Sequence, residues 1–174
     1  VGDLMKDHCT KEKKCGQLSF NWRMFGSANQ TKYHPIPVTR RFQYHLTTWQ
    51  GTIKVIADPR AVDLDNFHWN HSIKLKKGYR WLDTSGNIIR NKGWRSMTNA
   101  NNPSDVALLY HYRSKSQEEW DFTNCVRGNE YSAKAKQRCH TPAEVGTIFD
   151  DAAWQQFRRM DPRYQVYDDV GELE

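Results

Sequence analysis

An α/β fold with flanking helices is predicted by three stretches of this sequence. Thr52 to Ile56 alternates apolar and polar residues, the period of a half-buried strand, and Asp58-Pro59 closes it. Val106 to Tyr110 is an aliphatic run that reads as a short buried strand; it delivers His111 and a basic turn. Ser116 and Glu119 then stand at capping-box spacing and predict a helix start. Thr141-Pro142-Ala143-Glu144 repeats that pattern with Pro at the first helical position. Val145, Ile148, Phe149, Ala152, Ala153 and Phe157 follow at helical spacing, which predicts a C-terminal amphipathic helix of about four turns.

The remaining elements follow in order. Val1 to His8 reads as the end of a helix with Leu4 and Met5 as apolar contacts, and Lys11 to Lys14 as a charged turn. Gly16 to Phe25 carries Leu18, Phe20, Trp22 and Phe25, a strand entering the turn-forming stretch Gly26-Ser27-Ala28-Asn29-Gln30. Pro35 and Pro37 block regular helix, and Val38 to Leu46 fits helix and strand equally. Short strands and loops are expected from Ala61 to Arg90. Within them, Tyr79 to Leu82 and Asn87 to Ile89 flank Asp83-Thr84-Ser85-Gly86 as a hairpin. Asn91 to Asp105 reads as polar loop, and Cys125 to Cys139 as loop or short helix. Residues 1–160 are expected to form a single domain and 161–174 a polar tail that turns acidic. The chain opens on Val1 in what reads as mid-helix sequence, so a longer parent protein is expected.

Composition narrows the class. The 174 residues suffice for one domain with a proper core, and seven Trp, eight Tyr and seven Phe compensate a hydrophobic content of only 37%. A net charge of +6 points to anionic partners, but the Lys and Arg residues are scattered. Most are read as solvated surface, and nucleic acid is not expected as a partner. No apolar stretch is long enough to span a bilayer, so a membrane would be met only through a segment outside this chain.

Cys9, Cys15, Cys125 and Cys139 form no C-x-x-C pair, which argues against structural zinc. Two disulfides are possible, with Cys9–Cys15 and Cys125–Cys139 the local pairings, but the sequence does not choose among three connectivities. The sequons Asn29-Gln30-Thr31 and Asn70-His71-Ser72 agree with an oxidising secretory compartment.

Common catalytic signatures are missing: there is no Gly-rich phosphate loop, nucleophile elbow, H-E-x-x-H or Rossmann fingerprint. What the sequence offers is His34, His68, His71 and His111 at strand ends or loops, with Asp63, Asp65, Glu118 and Glu119 as carboxylates. Mixed imidazole and carboxylate ligation suits Mn²⁺ or a similar ion that also holds a diphosphate. Trp22, Trp69, Trp81 and Trp94 offer flat faces to sugar C–H groups, although most tryptophans of so polar a chain are expected in its core. The plain alternative for His111 and Tyr112 is that they close a core strand.

Four segments carry a resemblance. Trp22-Arg23-Met24-Phe25-Gly26-Ser27, Arg41-Phe42, Ile53-Lys54-Val55-Ile56 and His111-Tyr112-Arg113-Ser114-Lys115-Ser116-Gln117-Glu118-Glu119 resemble, in order and spacing, the C-terminal half of family-92-like glycosyltransferases. The resemblance runs from about Val1 to Glu130. It implies a GT-A fold, a Rossmann-like mixed sheet of which this chain would hold the C-terminal, acceptor-side part. It also implies a nucleotide-sugar donor, a glycan or glycoprotein acceptor, a divalent metal, with Mn²⁺ the expected ion, and residence in the secretory pathway, in the Golgi lumen or associated with its membrane.

Such a transferase neutralises a leaving diphosphate with a metal and with Lys or Arg. His111 best matches the late metal-ligating His, with His68 a weaker candidate; Arg113 and Lys115 are placed to meet phosphate oxygens. Trp22, Arg23, Phe25 and Gly26 would lie on the acceptor side, Gly26 letting backbone approach the sugar. Asp65 and Glu118 are the candidates for a catalytic base, which is left unassigned, and Glu119 is expected to cap. The donor half with its Asp-x-Asp metal motif is expected upstream of Val1: no Asp-x-Asp-Glu sequence occurs here, and Asp63-Leu64-Asp65 lies too late in the order. The competing class is a non-catalytic glycan-binding or assembly subunit that keeps part of the fold; paired aspartates upstream would discriminate the two.

Overall fold

The computed structural model describes residues 2–8, 10, 12–47, 50–66, 71–90, 99, 106–127 and 139–171. The chain is α/β, with a mixed sheet and flanking helices, and it divides into two compact units. The first comprises Val1–Arg23 and Gln50–Leu109, the second Met24–Trp49 and Tyr110–Glu174.

In the first unit, α1 (Gly2–His8) precedes β1 (Cys15–Met24), the central strand. β1 pairs antiparallel with β3 (Gln50–Ala57) and parallel with β4 (Arg80–Asp83), giving the order β3-β1-β4. The register joins Leu18 to Ile56 on one side and to Leu82 on the other. Residues 15–21 of β1 are all buried, so both faces of this part of the strand are covered and its alternation is hidden from solvent. Leu18 and Phe20 form an apolar core with Cys15 and Leu82, packed by Leu4 and Met5 of α1 and by Ala107 and Leu109.

The intervening residues Gln17, Ser19 and Asn21 are polar yet fully buried. Gln17 Oε1 accepts from Ile73 N–H (3.0 Å), and Asn21 exchanges hydrogen bonds with Asn99. The Asn21 amide and the Gln17 carbonyl oxygen are thereby satisfied, whereas Gln17 Nε2 and Ser19 Oγ are buried without a hydrogen-bond partner among the described residues. The hairpin after β4 forms as the sequence predicts: Asp83 Oδ1 accepts from the Ser85 and Asn87 N–H groups, Leu82 bridges Ile88, and Gly86 takes φ +80°.

The second unit contains α2 (Val38–Arg41), β2 (Tyr44–His45), α3 (Gln117–Asp121), β6 (Ile148–Phe149) and α4 (Ala152–Met160). β5 (Leu109–His111) leads the chain into it. The ambiguous stretch Val38 to Leu46 therefore contains a helical turn and then a strand.

Two expectations are corrected. The buried strand placed at Val106 to Tyr110 is β5, three residues long, starting at Leu109; Val106 is exposed and β5 is half-buried. The four-turn helix after Thr141 does not form. Residues 141–147 have no regular secondary structure, and Ile148–Phe149 pairs antiparallel with Tyr44–His45. The helix begins only at Ala152 and ends at Met160.

Backbone approach explains this departure. Ser27 N–H donates to Glu144 O (2.7 Å) and Thr147 N–H to His45 O (3.0 Å). A Cβ on Gly146 would overlap the carbonyl of Tyr44, and one on Gly26 the backbone nitrogen of Gly146. Thr141, in the helix-start pattern, serves Trp120 instead, accepting its indole N–H at 3.3 Å. The segment Pro162–Tyr167 forms a 3₁₀ turn, and Arg158 pairs with Asp168 at 2.9 Å.

Candidate functional site

The residues singled out by sequence fall into both units. Trp22 and Arg23 close the N-terminal segment of the first unit. Trp22 is half-buried, tilted against His71 at 5.2 Å, with the Lys54 ammonium 5.9 Å from its ring centroid. Burial, aided by the nearby Lys54 charge, lowers the pKa of His71 against the opposing hydrogen bond to Ile53 O (2.9 Å). Asp65 is exposed in a 3₁₀ turn, its N–H donating to Asp63 Oδ1, while Asp63 pairs with Lys74 at 3.0 Å. His68, Trp69, Asn70 and Trp94, the loop read at Asn91 to Asp105 apart from Asn99, and Cys9 lie outside the described residues.

In the second unit three of the four segments meet. Phe25 N–H donates to His111 O at 3.1 Å, joining the end of the Trp-Arg-Met-Phe-Gly-Ser segment to the start of the His-Tyr-Arg-Ser-Lys-Ser segment. Gln117 and Glu118 N–H donate to Gln30 O and Thr31 O, both at 3.0 Å, so the first turn of α3 is capped by the loop that follows Gly26. Arg41 then ties in the third segment. Its guanidinium reaches Glu119 Oε2 at 2.6 Å, and its carbonyl accepts from Gln30 Nε2 at 2.6 Å.

The Phe25 ring is 1% exposed and packs on Tyr110 (4.9 Å), Tyr112 (4.8 Å) and the edge of His45 (5.9 Å). An aromatic held this way is a core side chain, which corrects its placement against the acceptor. Gly26 is likewise corrected: the close approach it permits is to Gly146 of the chain itself, and its N–H donates to Tyr44 O. The Tyr110 hydroxyl donates to Asp150 Oδ2 at 2.8 Å. Burial, with Tyr110 and Asp150 nearby, pushes the Tyr112 phenol well above its ordinary value.

His111 is half-buried at the end of β5. Arg113 is exposed, its guanidinium 5.9 Å from the Trp120 ring centroid. Lys115 takes a left-handed φ of +56°, and its side chain is 44% exposed, with the ammonium 4.0 Å from Glu119 Oε1. Residues 113 and 115 thus present two cations, while Ser114 and Ser116 are buried. Glu118 accepts Tyr33 N–H at 2.7 Å, an anchoring role for a carboxylate considered as a base.

Ser116 and Glu119 form the expected capping box. Burial raises the carboxyl pKa of Glu119, but hydrogen bonds from Arg41 and Ser116 and the Arg41 charge outweigh it, and the net shift is downward. The Arg41–Glu119 pair was not legible in sequence, because residues 41 and 119 share no local pattern. Arg41, Arg40, Gln30, Asn29, Tyr44 and Phe149 also line a cavity of about 390 Å³ that the sequence did not signal.

As for metals, His111 offers one imidazole, and among the described residues no further His, Cys, Asp or Glu ligands converge on it in a group of three. Cys125, Cys139 and His140 do cluster, but Cys125 and Cys139 form a disulfide, so neither sulfur is a thiolate ligand. Cys15 is also disulfide-bonded. No helix among the described residues is long and apolar enough to cross a membrane. Comparison with family models, with curated proteins and with solved structures gives no match.

Proposed function

We propose that this chain is the acceptor-side, C-terminal part of a GT-A-type glycosyltransferase, moving a sugar from a nucleotide-sugar donor to a glycan or glycoprotein acceptor. The observation that carries this reading is the hydrogen bond from Phe25 N–H to His111 O. It puts side by side two segments that resemble family-92-like glycosyltransferases and stand far apart in sequence. The core placement of Phe25 and Gly26 gives the first segment a supporting role. Trp22 and Arg23 remain the proposed acceptor contacts.

In this reading Arg113 and Lys115 stabilise the leaving diphosphate. Their exposure and the packing beneath them support that role: Arg113 rests on Trp120, and Lys115 is set by its left-handed backbone beside a capped helix. His111 would supply one ligand to Mn²⁺. One imidazole does not hold such an ion, so the described residues do not by themselves fit a complete metal site. Carboxylate ligands from a segment beyond these residues belong to the same proposal, and no chemical step is assigned to the ion. The disulfides agree with an oxidising compartment, and residence in the Golgi is part of the proposal.

The test is transfer or donor hydrolysis by the full-length protein with a panel of nucleotide sugars and Mn²⁺. Turnover that is lost in His111→Ala, with an unchanged far-UV spectrum, is the expected result. No turnover with any donor, together with retained binding to glycan, would favour the binding-subunit alternative. Unchanged turnover in His111→Ala would remove that residue from the site.

A further inference from the structure

We infer that Asn29 is an N-glycosylation site and that its glycan covers the aromatic pair Tyr44 and Phe149. The inference is independent of the transferase reading. The sequon Asn29-Gln30-Thr31 lies at a tight turn closed by Gln30 N–H donating to Ser27 O at 2.9 Å. Both central residues have positive φ, Ala28 at +50° and Asn29 at +60°, the geometry of a type I′ turn, whose positions Asn tolerates well. Asn29 and Thr31 are exposed, whereas Gln30 between them is buried and held by Arg41 O. The middle residue of the sequon therefore fixes the turn while the two residues that define it face solvent. The bonded Cys125–Cys139 pair agrees with the oxidising compartment in which such transfer occurs.

The surroundings suit the product. Asn29 lines the 390 Å³ cavity together with Tyr44, Gln43, Arg40 and Phe149. Phe149 is 57% exposed and meets Tyr44 edge-on at 5.4 Å, an apolar pair open to water beside a polar lining. The cavity is within the size range of sites that seat a small molecule. Sugar C–H faces lie naturally against aromatic rings, and sugar hydroxyls against Gln43 and Arg40. In the modification the Asn29 Nδ2 forms a bond to the anomeric carbon of a lipid-diphosphate oligosaccharide. The anomeric C–O bond breaks, the lipid diphosphate leaves with the electron pair, and an amide proton is released. The second sequon differs, because its Ser72 is fully buried.

The experiment is secretion from a glycosylating eukaryotic host, followed by glycopeptide mapping and thermal unfolding before and after enzymatic release of the glycan. The Asn29 peptide should carry the glycan, and both Asn29→Gln and Thr31→Ala should lose it. Thr31→Ala changes only an exposed side chain and guards against misfolding of the first variant. Deglycosylation should lower Tm by about 2–4 °C, a shift of the size expected for a modest loss in a chain of this length. That shift should vanish in Phe149→Ser. An unmodified Asn29 in the folded, secreted protein overturns the site. A glycan whose removal leaves Tm unchanged overturns its packing on the aromatic pair.

Discussion

The Arg41–Glu119 pair offers the sharpest quantitative prediction. The Arg41 side chain is 3% exposed and that of Glu119 19%, with 2.6 Å between Nη2 and Oε2. Removing one member of a buried pair costs about 3–5 kcal/mol, because the partner charge stays buried. Water reaches the edge of Glu119, which places Glu119→Gln nearer about 2–3 kcal/mol. The Gln side chain still accepts from Ser116, so the helix cap survives this change. Glu119→Ala should cost about 1 kcal/mol more by losing the reciprocal half of the capping box, in which the carboxylate accepts from Ser116, while the residue-119 N–H keeps its bond to Ser116 Oγ. Arg41→Met removes the guanidinium while keeping apolar bulk against the Phe42 ring, whose centroid lies 4.5 Å from Arg41 Cζ. Urea unfolding followed by far-UV circular dichroism measures each variant. A cycle of Arg41→Met, Glu119→Gln and the double variant should give a coupling of about 2 kcal/mol, little reduced by added salt. A coupling below about 0.5 kcal/mol would refute the claim that this pair joins α2 to α3.

Further outcomes follow from the same geometry. The depressed Glu119 pKa makes its stabilisation complete above the ordinary glutamate value of 4.5 and progressively lost as pH falls through the lower folded value. Urea midpoints between about pH 7 and pH 3 should therefore fall more steeply in the wild type than in Glu119→Gln. Gly26→Ala and Gly146→Ala should each cost about 3 kcal/mol or more, since the added Cβ meets backbone that no side-chain rotation relieves; thermal unfolding of near-wild-type stability would contradict this. Phe25→Ala should lose about 3–5 kcal/mol, and Tyr110→Phe about 1 kcal/mol through its hydrogen bond to Asp150. Replacing Cys125 and Cys139 by Ser should lower stability by about 3 kcal/mol, as expected for a loop with a sequence separation of 14. Denaturation with and without a reductant checks it.

What the sequence by itself determined are the elements whose signals are local. β1 and β3 carry strand periodicity, the hairpin at Asp83 carries its turn residues, and the start of α3 carries its capping box. Each depends on residues a few positions apart, where intrinsic geometry and side-chain bonds suffice. The helix read into Val145 to Phe157 failed for the opposite reason. Its apolar spacing is real, but Gly146 passes against the Tyr44 carbonyl, and residues 144–149 bond to Ser27, Tyr44 and His45. Backbone pairing with distant strands overrode a local pattern.

The site divides in the same way. Sequence singled out His111, Arg113 and Lys115, whereas tertiary structure decided that Phe25 is core, that Gly26 admits Gly146, and that Glu118 anchors Tyr33. Arg41 and Glu119 are 78 residues apart. Only folding brings their charges to hydrogen-bond distance, because a charge pair has no sequence periodicity by which it could be read.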